Sequence, residues 1–150
     1  MPQSLSKLYV HLAFNTKHRE PLLLAPLRAQ VHAYLATVLK NHDSPAMEVG
    51  GTSDHVHALF RLSKNRSLAE IVEEIKTSSS KWVKTQGKAL VNFHWQNGYG
   101  GFSVSPADVE KVATYIAQQE THHRAMTFQE EYRRLLESHG IEFDERYVWD

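Results

Sequence analysis

Leu8, Val10, Leu12 and Phe14 alternate with Tyr9, His11 and Ala13, and this period of two predicts a β-strand. After Glu20-Pro21, the apolar positions Leu24, Leu27, Val31, Tyr34, Leu35, Val38 and Leu39 fall at helical spacing. That helix should stop near Asn41, before the turn-forming Asp43-Ser44-Pro45. Met47 and Val49 suggest a second strand, Gly50-Gly51-Thr52-Ser53 a turn, and the alternating Asp54–Phe60 segment a third strand starting at about His55. Ser67-Leu68-Ala69-Glu70 has the form of a capping box, and Leu68, Ile71, Val72, Ile75, Ser79, Trp82 and Val83 then line one face of a long helix ending at Gly87. Gly100-Gly101 precedes a last short strand at Phe102–Val104. Ser105-Pro106 then opens a helix running to Glu120, with the stripe Val109, Val112, Ala113, Ile116 and Ala117. A final helix is predicted from Thr127 to about His139, followed by the tail Ile141–Asp150.

The order β-α-β-β-α-β predicts an α+β fold, a ferredoxin-like antiparallel sheet with helices on one face, supplemented by two further helices. No repeat or linker interrupts the chain. One domain is expected over residues 1–126, with 127–150 a helical C-terminal extension of it. Lysine plus arginine and aspartate plus glutamate both number 17, so the net charge is zero, which argues against a protein that coats duplex DNA non-specifically. The absence of cysteine removes disulfides, thiolate zinc sites and cysteine nucleophiles. No membrane span or signal peptide is apparent, and the cytoplasm is the expected location.

His55 and His57 flank Val56 on a predicted strand. Two residues along a strand return to the same face, so both imidazoles can approach one metal ion while Val56, Ala58 and Phe60 pack the other way. With 10 histidines in the chain, roughly 0.7 His-x-His pairs are expected by chance. The pair alone therefore also fits two polar residues on an exposed sheet face. Tyr115 lies beside the apolar stripe of its helix, Gln119 is one turn later, and Asp108 and His122 share that sector. A tyrosine hydroxyl, a poor nucleophile at neutral pH, could attack a metal-polarised phosphate, or it could simply pack its ring at a boundary. Tyr99, in the glycine-rich loop, is the nearest rival. Lys17, His18 and Arg19, then Arg61, Lys64 and Arg66, and then Lys76, Lys81, Lys84 and Lys88 with Trp82 form local basic clusters suited to a nucleic-acid backbone or to solvation. His122 and His123 are additional candidates. There is no glycine-rich phosphate loop, serine-hydrolase elbow or zinc-protease motif.

The stretches GGTSDHVHALF, SLAEIVEEIKTSSSKW and FHWQNGYGGFSVS resemble the HUH-type single-tyrosine transposases of small insertion sequences, the insertion sequence two hundred family and its repeat-associated (REP) relatives. HUH denotes His, a bulky hydrophobic residue, His, here His55-Val56-His57. The resemblance covers the chain from the Leu8–Phe14 strand to Gln119. It implies a ferredoxin-like sheet, with His55, His57 and Gln119 holding Mg²⁺ or Mn²⁺. It also implies that Tyr115 attacks single-stranded DNA at hairpin-flanked ends to give a 5′-phosphotyrosine and a free 3′-hydroxyl, with no nucleotide cofactor. A homodimer, in which the tyrosine helix can complete the partner's site, is implied as well. Two alternatives stay open: a non-cleaving ferredoxin-like module that binds structured single-stranded DNA or RNA, and a rolling-circle or plasmid-transfer relaxase.

Overall fold

The computed structural model describes residues 2–150. Strands β1 (Tyr9–Asn15), β2 (Ala46–Gly51), β3 (His55–Arg61) and β4 (Gly100–Val104) form one sheet in the order β2-β3-β1-β4. Every neighbouring pair is antiparallel. Helix α1 (Leu27–Asn41) connects β1 to β2, and α2 (Leu68–Lys84) connects β3 to β4. This is the ferredoxin-like arrangement that the period-two and period-3.6 patterns predict.

Alternation within β1 and β3 divides the molecule into layers. Val10, Leu12 and Phe14 of β1 and Val56, Ala58 and Phe60 of β3 point to one face. There they join Val31, Leu35 and Leu39 of α1 and Ile71, Ile75 and Val83 of α2 in the main core. The intervening residues His11, Ala13 and Asn15, with His55, His57 and Leu59, point to the opposite face and are all buried. The register sets Ala13 against His57 and Asn15 against His55.

That second face is covered by α3 (Val109–Ala117), α4 (Gln119–His122) and α5 (Phe128–Ser138). The sheet is thus sandwiched between two helical layers. Phe102 of β4 packs with Phe128, Tyr132 and Leu136 of α5, and Phe143, Val148 and Trp149 of the tail close over this second cluster.

Two glycines permit the close approach. A Cβ on Gly50 of β2 would lie 2.4 Å from the Ile116 carbonyl oxygen of α3, and one on Gly100 of β4 would lie 2.5 Å from the Tyr132 ring of α5.

Several boundaries differ from the sequence expectation. The first helix begins at Leu27, after Pro26, and leaves Leu24 exposed. Gly50 and Gly51 belong to β2, so the reversal falls on Thr52–Asp54. Helix α2 keeps its capping box, with Ser67 and Glu70 bonding reciprocally, and ends at Lys84, before Gly87. The single helix expected from Ser105 to Glu120 is three pieces: a 3₁₀ turn at Pro106–Asp108, then α3, then α4 beyond a break at Gln118 (φ −103°, ψ 22°). Among the described residues no helix is long and apolar enough to cross a membrane.

Candidate active site

The second face of the sheet brings together residues from five elements. β3 supplies His55 and His57, β1 supplies His11, α3 supplies Tyr115, α4 supplies Gln119 and α5 supplies Glu131. His55 Nε2 lies 2.9 Å from Gln119 Oε1, and His57 Nε2 lies 2.8 Å from Glu131 Oε1. The Tyr115 hydroxyl donates to Glu131 Oε2. Gln119 Nε2 donates to the same oxygen at 2.9 Å, and His123 Nε2 donates to Glu131 Oε1 at 3.2 Å. Both HUH histidines are fully buried, which excludes the reading of two polar residues on an exposed sheet face. Tyr115 and Gln119 reach the histidines of their own chain.

The hydrogen-bond network fixes proton positions in a consistent way. His11 Nε2 lies 2.7 Å from His57 Nδ1, so His11 can donate to His57 while His57 donates to Glu131. Burial, reinforced by the neighbouring His57, pushes the His11 imidazole down to about 3. Burial likewise lowers His57. Burial alone would raise the Glu131 carboxyl, but hydrogen bonds from His123, His57 and Tyr115 overcome it and hold the group ionised, well below the usual carboxylate range. Tyr115 moves the other way. Burial and the adjacent Glu131 charge raise its phenol far above the ordinary tyrosine value.

His55 and Gln119 test whether a cation fits. His55 Nδ1 donates to Asp54 Oδ1 at 2.8 Å. The Gln119 amide is oriented by its bond to Glu131, so its oxygen faces His55 Nε2. For a neutral His55, two lone pairs then point at each other across 2.9 Å, an arrangement that a shared cation would satisfy. Adjacent ligands of an octahedral ion at ~2.1 Å lie roughly 3 Å apart, close to the separations of these donor atoms. His55, His57 and Glu131 offer ligand atoms that all lie within 4.8 Å of one another. Asp54 behind His55 is the outer partner that orients a ligating imidazole, and His11 takes the same place behind His57 once the His57 proton sits on Nδ1 and His11 Nε2 accepts it, which frees His57 Nε2 for a cation. Asn15, opposite His55, adds a buried Oδ1 with no partner. The donor set of two imidazoles, an amide oxygen and a carboxylate suits a divalent cation.

Other candidates fall elsewhere. Tyr99 lies in the loop beside α2, with its ring 5.9 Å from Lys76 Nζ. Lys76 is an internal strut: its ammonium donates to the carbonyls of Gln96 at 2.8 Å and Gly98 at 2.5 Å. Burial pushes it down to about 8. Trp82 stacks on Tyr34, with centroids 5.0 Å apart, and so is engaged with α1. His122 packs on the Tyr115 ring at 4.6 Å.

Sequence reasoning gave no role to His11 or Glu131. Glu131 does leave a trace, because it lies on the apolar stripe of its helix with Phe128, Tyr132 and Leu135, where a carboxylate is out of place unless it is paired.

Residues 4–119 match the family described as Transposase IS200 like, and Glu131 lies beyond that match. No curated protein matches the chain. Among solved structures, the chain is similar to a protein from Deinococcus radiodurans R1 assigned as a transposase. The two are 19% identical over 79% of this chain and 98% of that one, with a TM-score of 0.62. It is also similar to a REP-associated tyrosine transposase bound to a REP hairpin, 15% identical over 82% of this chain and 73% of that one, with a TM-score of 0.60. At these identities the likeness speaks to the fold.

Proposed function

From the premise that the chain belongs to the family of IS200-like transposases, we propose that it nicks and rejoins single-stranded DNA at hairpin-flanked element ends, with Tyr115 as nucleophile. The observation that carries this reading is the convergence of Tyr115 with His55, His57 and Gln119 around one buried point within a single chain. Tyr115 Oη attacks the phosphorus and the bond to the 3′-oxygen breaks. The phenolic proton leaves to solvent on the half-open side of the ring, and the 3′-oxygen takes up a proton. One phosphoester replaces another, so the 3′-hydroxyl can re-attack without a nucleotide cofactor.

His55, His57 and Gln119 would hold Mg²⁺ or Mn²⁺, with Glu131 as a further ligand, and the ion would supply positive charge that polarises the scissile phosphate. The chain's own residues do the rest. Asp54 and His11 fix the two imidazole rings, and His122 backs the Tyr115 ring. With its hydroxyl on Glu131, the phenol is positioned but not activated, so positive charge must be added to the site before attack.

Residues 127–150 belong to the same functional unit in this reading, since α5 supplies Glu131. The REP hairpin bound by the structural neighbour supports a hairpin substrate. A homodimer would bring two such sites together for the joining of two ends, and sedimentation velocity tests it.

Incubation with a labelled hairpin oligonucleotide and Mg²⁺ or Mn²⁺ is expected to yield a denaturant-stable protein–DNA adduct. Tyr115→Phe should abolish that adduct. An adduct equal to wild type from Tyr115→Phe overturns the nucleophile assignment.

A further inference from the structure

Two cavities flank Tyr115, both between α3 and α5. One, of about 320 Å³, lies on the β4 side, floored by Phe102, Val112 and Leu135 and rimmed by Asp108 and Lys111. The other, of about 400 Å³, lies on the side of α4 and includes His122, Met126 and Arg134. Tyr115 and Leu135 line both, so the two cavities are halves of one groove with the phenol between them. Phe102 on its floor is almost wholly buried. Lys111 and Arg134 are exposed, and neither makes an ion pair among the described residues.

We infer that this groove is the channel for the scissile single strand, with unstacked bases of the nucleotides on either side of the scissile phosphate seated in the two cavities. Lys111 and Arg134 then contact the neighbouring phosphates. The inference deepens the reading of Tyr115 as nucleophile and rests on it.

Three features of the groove fit a strand and not a helix or a loose surface. First, its apolar floor is flanked by the two unpaired cations Lys111 and Arg134, one on each side of the phenol, as a chain of bases and phosphates requires. Second, it passes the phenol, so a strand lying in it presents a phosphate to Tyr115 without further rearrangement. Third, Asp108 keeps one carboxylate oxygen free of its bond from Ser105. A carboxylate repels phosphate but accepts from the amino edge of a base, so it marks the β4-side cavity as a base-reading pocket. The basic face of α2 lies across the sheet, with Lys76 consumed internally and Trp82 stacked on Tyr34.

Binding of a fluorescein-labelled single-stranded oligonucleotide of mixed sequence is measured on the Tyr115→Phe protein against salt concentration. Lys111→Ala and Arg134→Ala should each weaken binding and reduce the slope of log K against log salt by about 0.7. Lys81→Ala, on α2, should leave the slope unchanged. A slope that responds to Lys81 and ignores Lys111 and Arg134 overturns the channel.

A second measurement follows the methyl resonances of Val112, Leu135 and Met126 as each of the four deoxynucleoside monophosphates is added, with inorganic phosphate as control. Ring-current shifts with the nucleotides and not with phosphate are expected, and Val112→Trp should remove those on the β4 side. Equal responses to phosphate, or none to any nucleotide, overturn the base pockets. These results do not depend on cleavage. Groove binding without an adduct from wild type defeats the nuclease reading and leaves the groove as a strand-binding site only, whereas an adduct with unchanged slopes defeats the channel alone.

Discussion

At the scale of single residues, Glu131 has the most partners. It is buried at 2% exposure and takes hydrogen bonds from Tyr115, His57, Gln119 and His123. Removing it by Glu131→Ala strands all four groups and should cost about 3 kcal/mol or more in a denaturant titration. Glu131→Gln keeps the shape and removes the charge. Since that charge helps to raise the Tyr115 phenol, the variant's phenol should ionise at lower pH than wild type, seen as a tyrosinate absorbance step that Tyr115→Phe lacks. The same substitution should weaken Mn²⁺ binding in calorimetry about 10- to 100-fold, and unchanged affinity would remove Glu131 from the ligand set.

At the scale of elements, the strands and the two crossover helices were legible because their periods are clean and their stops are chemical: the Ser67–Glu70 capping box and the Asp43-Ser44-Pro45 turn. The alternation in β3 also placed His55 and His57 on one face and Val56, Ala58 and Phe60 on the other, as observed. The break at Gln118 was not legible, since Ala117-Gln118-Gln119-Glu120 contains no glycine or proline. There the chain bends so that Gln119 can turn toward His55 while Arg28 of α1 pairs with Glu120. Glu131 and His11 were missed because their partners are distant in sequence, and only the packing of α5 on the sheet brings them together.

The approach of α3 depends on Gly50. Gly50→Ala must displace Ile116, and with it the helix that carries Tyr115. A loss of about 1–3 kcal/mol is expected, with adduct formation falling more steeply than stability alone would require.

At the scale of the whole molecule, the burial of imidazoles sets a pH dependence. His11 stays neutral in the fold down to about 3, whereas in the unfolded chain it takes up its proton near 6.5. Between these values the unfolded state binds more protons, so stability is full above 6.5 and is lost as pH falls. The slope from this one group is up to about 1.4 kcal/mol per pH unit, and His57, lowered by its own burial, adds in the same sense. Chemical denaturation at pH 7.5 and 5.5 should show the loss, and His11→Gln should lessen it.

The alternation along β3 also constrains how this protein can drift. Val56 and Ala58, which anchor the strand to the helical layer, are each one peptide bond away from an imidazole of the opposite face. A heat-sensitive lesion at Val56 or Ala58 therefore cannot be repaired by shifting the backbone without misaiming a histidine, and compensating changes must come from the helices beneath.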